Sequence, residues 1–145
     1  MKNIVAIACG IVTARKLGEN ARAMMATLGL AETVRLALAN GGKLETFSGI
    51  AGVGDLLATA SSSTSRNTSL GMALGEGRPV SEVLGERKEV TEGAFSLAPV
   101  ATLARQLHVS MPIARTLDGV LNHGQNLDEA LALILHNLPR MFHSA

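Results

Sequence analysis

The sequence predicts an all-α domain, and three observations carry that prediction. Apolar residues recur at spacings of three and four in several separated segments, period-two alternation is nearly absent, and residues that start or stop helices bound the segments. A length of 145 residues fits one domain, residues 1–145, with a sizeable core, and an apolar content of 47% is ordinary for a globular chain.

The opening run from Ile4 to Val12 is the one ambiguous segment, because Ile4, Val5, Ile7, Ile11 and Val12 are β-branched and a short apolar run cannot be assigned by period alone. No other segment has strand period to pair with it, so helix is the better reading. Its edge is unusual: Lys2 and Asn3 stand directly against the apolar run, where a terminus ordinarily frays in water. From Asn20 to Asn40 the residues Ala23, Thr27, Leu30, Val34 and Leu38 fall on one helical face, with Gly41 and Gly42 to stop a long helix. Between Ala94 and Leu107 the pattern Phe95, Leu97, Val100, Leu103, Leu107 is helical, with Thr91 as cap and Glu92 in the first turn. A further helix begins near Pro112, whose fixed φ suits a first turn, and carries Ile113, Leu117 and Leu121. The last is announced by Asn126 with Glu129 three residues on, resembling a capping box, ahead of ALALIL. Short loops are expected at GEGRP and NHGQ and a polar tract at SSSTS, and there is no internal repeat.

Charge and composition exclude several classes of function. Thirteen Lys and Arg stand against twelve Asp and Glu, so no long-range field favours a nucleic-acid backbone or an anionic membrane. Only Phe47, Phe95 and Phe142 are aromatic, which removes base stacking as a binding mode. The single Cys9 lies inside an apolar run and reads as a small core residue in a reducing, cytoplasmic setting. Gly10 interrupts the opening apolar run and no small-x-small cleavage site follows, so it does not read as a signal peptide, and no run is long enough to span a bilayer.

Chemistry-bearing motifs are few. SGIAGVGDL suggests a phosphate loop, but Leu57 stands where the third small residue is needed, and GGK at 41–43 is followed by Leu44 instead of Ser or Thr. His108, His123, His136 and His143 lack the spacing that puts two imidazoles on one helical face, so no metal site is expected. No serine sits on a nucleophile elbow. What remains is a set of polar residues in apolar or glycine-rich surroundings: Lys2, Asn3, Asp55, Thr59, Ser65, Arg66 and Asn67.

Through KNIVAIACGI, GENARA, GLAE, GGKLETFSGIAGVGDLLATASSSTSRN and EVTEG, in this order, the chain resembles the C-terminal domain of bacterial-type NAD(P)-dependent glycerol-3-phosphate dehydrogenases. The resemblance implies an all-helical bundle of the 6-phosphogluconate dehydrogenase C-terminal class. The family carries an N-terminal Rossmann domain ahead of this one, none of which is present here, and Met1 is expected to fall in the linker between the two. The implied reaction is hydride transfer between NAD(P)H and the C2 carbonyl of dihydroxyacetone phosphate, giving sn-glycerol 3-phosphate for glycerophospholipid synthesis.

By the same resemblance Lys2 is the general acid and base, since an ammonium beside the carbonyl oxygen can polarise it and deliver a proton. Asp55 matches a substrate-contacting aspartate that would hold the ammonium, and Asn3 belongs to the same substrate site. Thr59 matches a hydroxyl near the substrate. Ser65, Arg66 and Asn67 match the SRN that binds the substrate phosphate, a forked charge flanked by short donors. Arg66, Val90 and Glu92 match cofactor contacts. The implied partners are the small-molecule substrate, a Rossmann domain holding most of NAD(P)H, and a second copy in a homodimer. Alone, the 145 residues are expected to be inactive. A different class of function is a non-catalytic helical dimerisation or interaction module derived from this domain. A β-hydroxyacid or ketopantoate-type reductase domain is disfavoured, because SRN after GDL answers a phosphate ester that those substrates lack.

Overall fold

The structure is a computed structural model that describes residues 1–45, 54, 55, 58, 65–86 and 92–141, with side chains described as far as residue 136. Its helices among these residues are α1 (Lys2–Ala14), α2 (Glu19–Ala39), α3 (Arg66–Gly75), α4 (Val80–Gly85), α5 (Glu92–Gln106), α6 (Pro112–His123) and α7 (Leu127–Met141). The described residues contain no strand, so the predicted all-α class is borne out.

The β-branched opening run is α1. Every residue from Ile4 to Val12 is buried, so this helix is apolar all round and forms the axis of the core. α2, α3, α5 and α6 pack around it, while α7 rests mainly on α6 and α4 on α3. Burial on all sides outweighs the modest helix propensity of Ile and Val. The closest neighbour is α3, and glycines permit the approach: a Cβ on Gly10 would collide with the Thr68 carbonyl, and one on Gly71 with the Ile7 carbonyl.

α3 and α4 are not among the predicted helices. RNTSLGMALG is polar at its start and glycine-rich within, and both features read locally as loop. Its glycines instead serve contact with α1, a tertiary requirement that the local pattern does not reveal. α2 has the expected length and stops as expected: the Gly42 N–H reaches the Ala37 carbonyl at 2.8 Å and the Gly41 N–H the Leu38 carbonyl at 3.1 Å. Gly41 has φ +86, which closes a Schellman motif.

The predicted face of α2 is wrong. Met25, Ala26, Leu28, Gly29, Glu32 and Leu36 are buried, whereas Ala23, Thr27 and Leu38 are exposed. A carboxylate in the buried stripe, Glu32, breaks the apolar spacing and leaves the opposite face looking more regular. Phe95, expected in the core stripe of α5, points outward with 70% of its surface exposed; Gly93, Leu97 and Ala104 are the buried positions. The two smaller residues let α5 come close to its neighbours, so the buried face is carried by size instead of hydrophobicity. The proposed cap Thr91 lies outside the described residues.

The last two helices start where expected. α6 starts at Pro112 and buries Ile113, Leu117 and Leu121. Asn126 Oδ1 accepts the N–H groups of Asp128 and Glu129 at 2.9 and 3.1 Å, capping α7. No described helix is long and apolar enough to cross a membrane.

Candidate functional site

α1 and α3 run parallel. The Ile7 carbonyl lies against Gly71 and the Ile11 carbonyl against Gly75, so equal steps along the two helices stay opposite one another. Their N-termini therefore lie side by side, which brings Lys2 and Asn3 to the same end of the molecule as Ser65, Arg66 and Asn67. α5 completes this end. The Gly93 N–H donates to Asn67 Oδ1 at 2.9 Å, and a Cβ at Gly93 would stand 2.6 Å from that oxygen, 2.7 Å from Ile7 Cδ1 and 2.9 Å from the Asn3 carbonyl oxygen. Only glycine allows three helix starts to meet so closely here.

Lys2 opens α1 and donates from Nζ to Asp55 Oδ2 at 2.8 Å, with both side chains about half exposed at 47% and 53%. This pair answers a local imbalance. The first turn of α1 contains no acidic residue, so Lys2 puts a cation at the positive end of the helix dipole, where an anion is favoured. Arg66 repeats the pattern at the first residue of α3, whose first turn also lacks an acid. Ser65 precedes it in an extended conformation, φ −63 and ψ 132, and makes no side-chain cap. Asn67 is buried at 8% exposure. Asn3 Nδ2 donates to Glu92 Oε2 at 2.9 Å, tying the start of α1 to the start of α5.

Of the residues singled out in the sequence, the structure thus gathers Lys2, Asn3, Asp55, Ser65, Arg66, Asn67 and Glu92 at one end. Thr59 and Val90 lie outside the described residues. Gly93 was missed as a site residue; its signal was the glycine that ends EVTEG, directly after a charged residue at a helix start.

The donor set has a definite chemistry. Lys2 and Arg66 are cations that only donate, suited to phosphate oxygens, and the carboxylates of Asp55 and Glu92 only accept, suited to hydroxyls. Arg66 and Glu92 are both exposed.

Other reactive groups lie elsewhere. Cys9 is buried in α1, and burial pushes its thiol up to about 11, so it stays protonated at neutral pH and behaves as a core residue. Among the described residues no three His, Cys, Asp or Glu side chains cluster to hold a metal ion. A cavity of about 10 Å³ between α1, α2, α6 and α7 is lined by apolar atoms of Ala8, Ile11, Met25, Leu117 and Leu131 and is too small and dry for a ligand.

Residues 1–132 match the family described as NAD-dependent glycerol-3-phosphate dehydrogenase C-terminus. The chain is 47% identical over 135 residues to a glycerol-3-phosphate dehydrogenase, NAD(P)+, of Parvibaculum lavamentivorans, covering 93% of this chain and 40% of that protein. A protein of the same name from Gluconobacter oxydans is 44% identical over 138 residues, covering 95% of this chain and 43% of its own length. The crystal structure of a glycerol-3-phosphate dehydrogenase from Coxiella burnetii superposes with a TM-score of 0.87 at 40% identity, covering 92% of this chain and 41% of that one. The chain therefore spans about 40% of the length of the relatives it matches. With its helical fold, its converging helix starts and this run of matches, the chain belongs to the C-terminal domain family of NAD-dependent glycerol-3-phosphate dehydrogenases.

Proposed function

We propose that residues 1–145 form one substrate-binding and catalytic domain of an sn-glycerol-3-phosphate dehydrogenase, active in the cytoplasm and feeding glycerophospholipid synthesis. The observation that carries this reading is a pair of cations, Lys2 and Arg66, at the positive ends of two parallel helices that start side by side. Lys2 already has Asp55 as a counter-ion, so what the arrangement adds is two positive helix ends side by side that favour a further anion, which a phosphorylated substrate provides.

Dihydroxyacetone phosphate is held with its phosphate toward Ser65, Arg66 and Asn67 and its carbonyl oxygen toward Lys2. NAD(P)H, when bound, supplies the hydride that reaches C2. As the C–H bond forms, the carbonyl π electrons move onto oxygen, and Lys2 Nζ–H gives that oxygen a proton, leaving a neutral amine and a secondary alcohol. In the reverse direction the amine removes the hydroxyl proton. Asp55, already bonded to Nζ at 2.8 Å, keeps the ammonium oriented, and Asn3 contributes to the substrate contacts. By the family motifs they match, Arg66, Val90 and Glu92 are assigned to the cofactor and Thr59 to the substrate. Most of the cofactor is held by a Rossmann domain, and a second copy of the chain pairs with this one as a homodimer.

The test joins the chain at Met1 to the cofactor-binding part of the Parvibaculum lavamentivorans relative and measures NADH oxidation with dihydroxyacetone phosphate. Turnover is expected from the joined protein and none from the 145 residues alone. Lys2→Ala is expected to lower kcat by at least about 100-fold, the usual range for a lost general acid. An inactive joined protein would sink the assignment, and an unchanged kcat in Lys2→Ala would remove Lys2 from the chemistry.

A further inference from the structure

The first turn of α5 touches two asparagines on two other helices, and it does so in opposite senses. At Asn67 the partner is the Gly93 N–H, which can only donate, so Oδ1 must be the atom it meets. At Asn3 the partner is the Glu92 carboxylate, which accepts, so Nδ2 must be the atom it meets. Turning either amide over would set donor against donor or acceptor against acceptor. At the buried Asn67–Gly93 contact that would leave a donor unsatisfied away from water, which holds one orientation. Each amide is left with its other end: Asn67 Nδ2 and Asn3 Oδ1 have no partner among the described residues.

We propose that Glu92 and Gly93 are specificity-determining positioning residues: by locking the two amides in opposite orientations, they give the site a donor-only end at Asn67 and an acceptor-only end at Asn3. The ligand this arrangement selects carries a fully ionised phosphate at one end and a hydroxyl at the other. The proposal rests on the reading of the site as a polyol-phosphate site and adds the device that orients it. A freely turning asparagine accepts a donor or an acceptor alike. A locked one rejects the wrong partner, because mismatch leaves a polar group unsatisfied.

Titration of the 145-residue chain with sn-glycerol 3-phosphate and, separately, with 2-methoxyethyl phosphate, whose ether oxygen only accepts, followed through backbone amide NMR signals, tests this. The unsubstituted chain should bind both, preferring sn-glycerol 3-phosphate by about tenfold, one hydrogen bond's worth. Asn67→Asp keeps an acceptor for the Gly93 N–H, so that amide should remain protected from exchange, yet both ligands should weaken by about 100-fold because an acceptor replaces the donor. Glu92→Gln, at an exposed position, can pair with either orientation of Asn3, so Asn3 can turn over and donate to the ether oxygen, 2-methoxyethyl phosphate should tighten and the tenfold preference should disappear. Binding within threefold of normal by a folded Asn67→Asp, or a preference that survives Glu92→Gln, overturns the proposal and leaves the site reading intact. If Asn67→Asp does not fold, Glu92→Gln decides alone. Failure of the unsubstituted chain to bind either phosphate overturns the site reading and the proposal with it.

Discussion

Glu32 sits on α2 with none of its surface exposed, and its two carboxylate oxygens accept the N–H groups of Ile113 at 2.6 Å and Ala114 at 3.2 Å. α6 begins at Pro112, which has no N–H, and its cap position is Met111, which has no side-chain acceptor. The next two N–H groups would be buried and unsatisfied, so a side chain from another helix does the work of a local cap. Burial pushes the Glu32 carboxyl up to about 7, against the opposing pull of these two bonds and of Arg35. A carboxyl raised in the folded state adds stability that is fully present below its ordinary value of 4.5 and is lost as pH rises through about 7. Glu32→Gln removes this titration. The stability of the unsubstituted chain relative to Glu32→Gln, measured by urea unfolding at fixed pH, should therefore fall by about 3 kcal/mol between pH 5 and pH 8. A difference that is flat or rises over that window would show that Glu32 is not held as described. The sequence marked Glu32 only as the last residue of GLAE and gave it no role, since a carboxylate among helical positions reads as solvated until its partners, some eighty residues along the chain, are known. Lys2 and Asp55, by contrast, were legible as a pair only through the family motifs, their separation of 53 residues hiding the contact from any local pattern.

The pairing of α1 with α3 rests on glycine in a way that reverses its usual effect. In an open helix, alanine in place of glycine adds about 1 kcal/mol of stability. At Gly71 the added methyl would meet the Ile7 carbonyl carbon at 2.8 Å and its Cα at 3.0 Å, backbone atoms of a buried helix that cannot move aside. Gly71→Ala should therefore destabilise by about 3 kcal/mol, the range of an overpacked core. Gly85, in α4, has nothing among the described residues within 4 Å of the place an added methyl would take, and Gly85→Ala should stabilise by about 0.5–1 kcal/mol. Chemical denaturation of the two variants checks both signs together; the same sign for both would mean that α1 and α3 are not packed this closely. The contrast also explains which elements could be read in advance. α6 carries its own first-turn proline and apolar stripe, α7 its own asparagine cap, and α1 its unbroken apolar run, so all three were legible. α3 was not, because the small residues that let it touch α1 are the ones that mark a loop to any local rule. Phe95 erred the other way: its bulk suggested core, but α5 turns Gly93, Leu97 and Ala104 inward with Val100 and Leu103 packed beside them, and leaves Phe95 outside.

Across the molecule, the site hangs on the helix best shielded from water. α1 is contacted by α2, α3, α5 and α6, and its nine residues from Ile4 to Val12 are all buried. α7 leans chiefly on α6, and Leu133 on it is 55% exposed; α4 touches the rest chiefly through α3. Two of the surrounding helices are also fastened at their starts by side chains from elsewhere, α5 by Asn67 and α6 by Glu32, so neither can leave without stripping a buried acceptor of its partner. Opening should follow this order. In hydrogen exchange read by mass spectrometry, peptides from α4 and α7 should exchange first through local opening, those from α5 and α6 later, and those spanning residues 5–12 of α1 only at the rate of global unfolding. Exchange of α1 together with α7 would mean that the core is not built around the first helix. If the expected order holds, the polar ends of α1, α3 and α5 stay in place while the periphery breathes. Lys2, Asn67 and Gly93 are then positioned before any ligand arrives, so binding does not have to order them and loses less free energy for it.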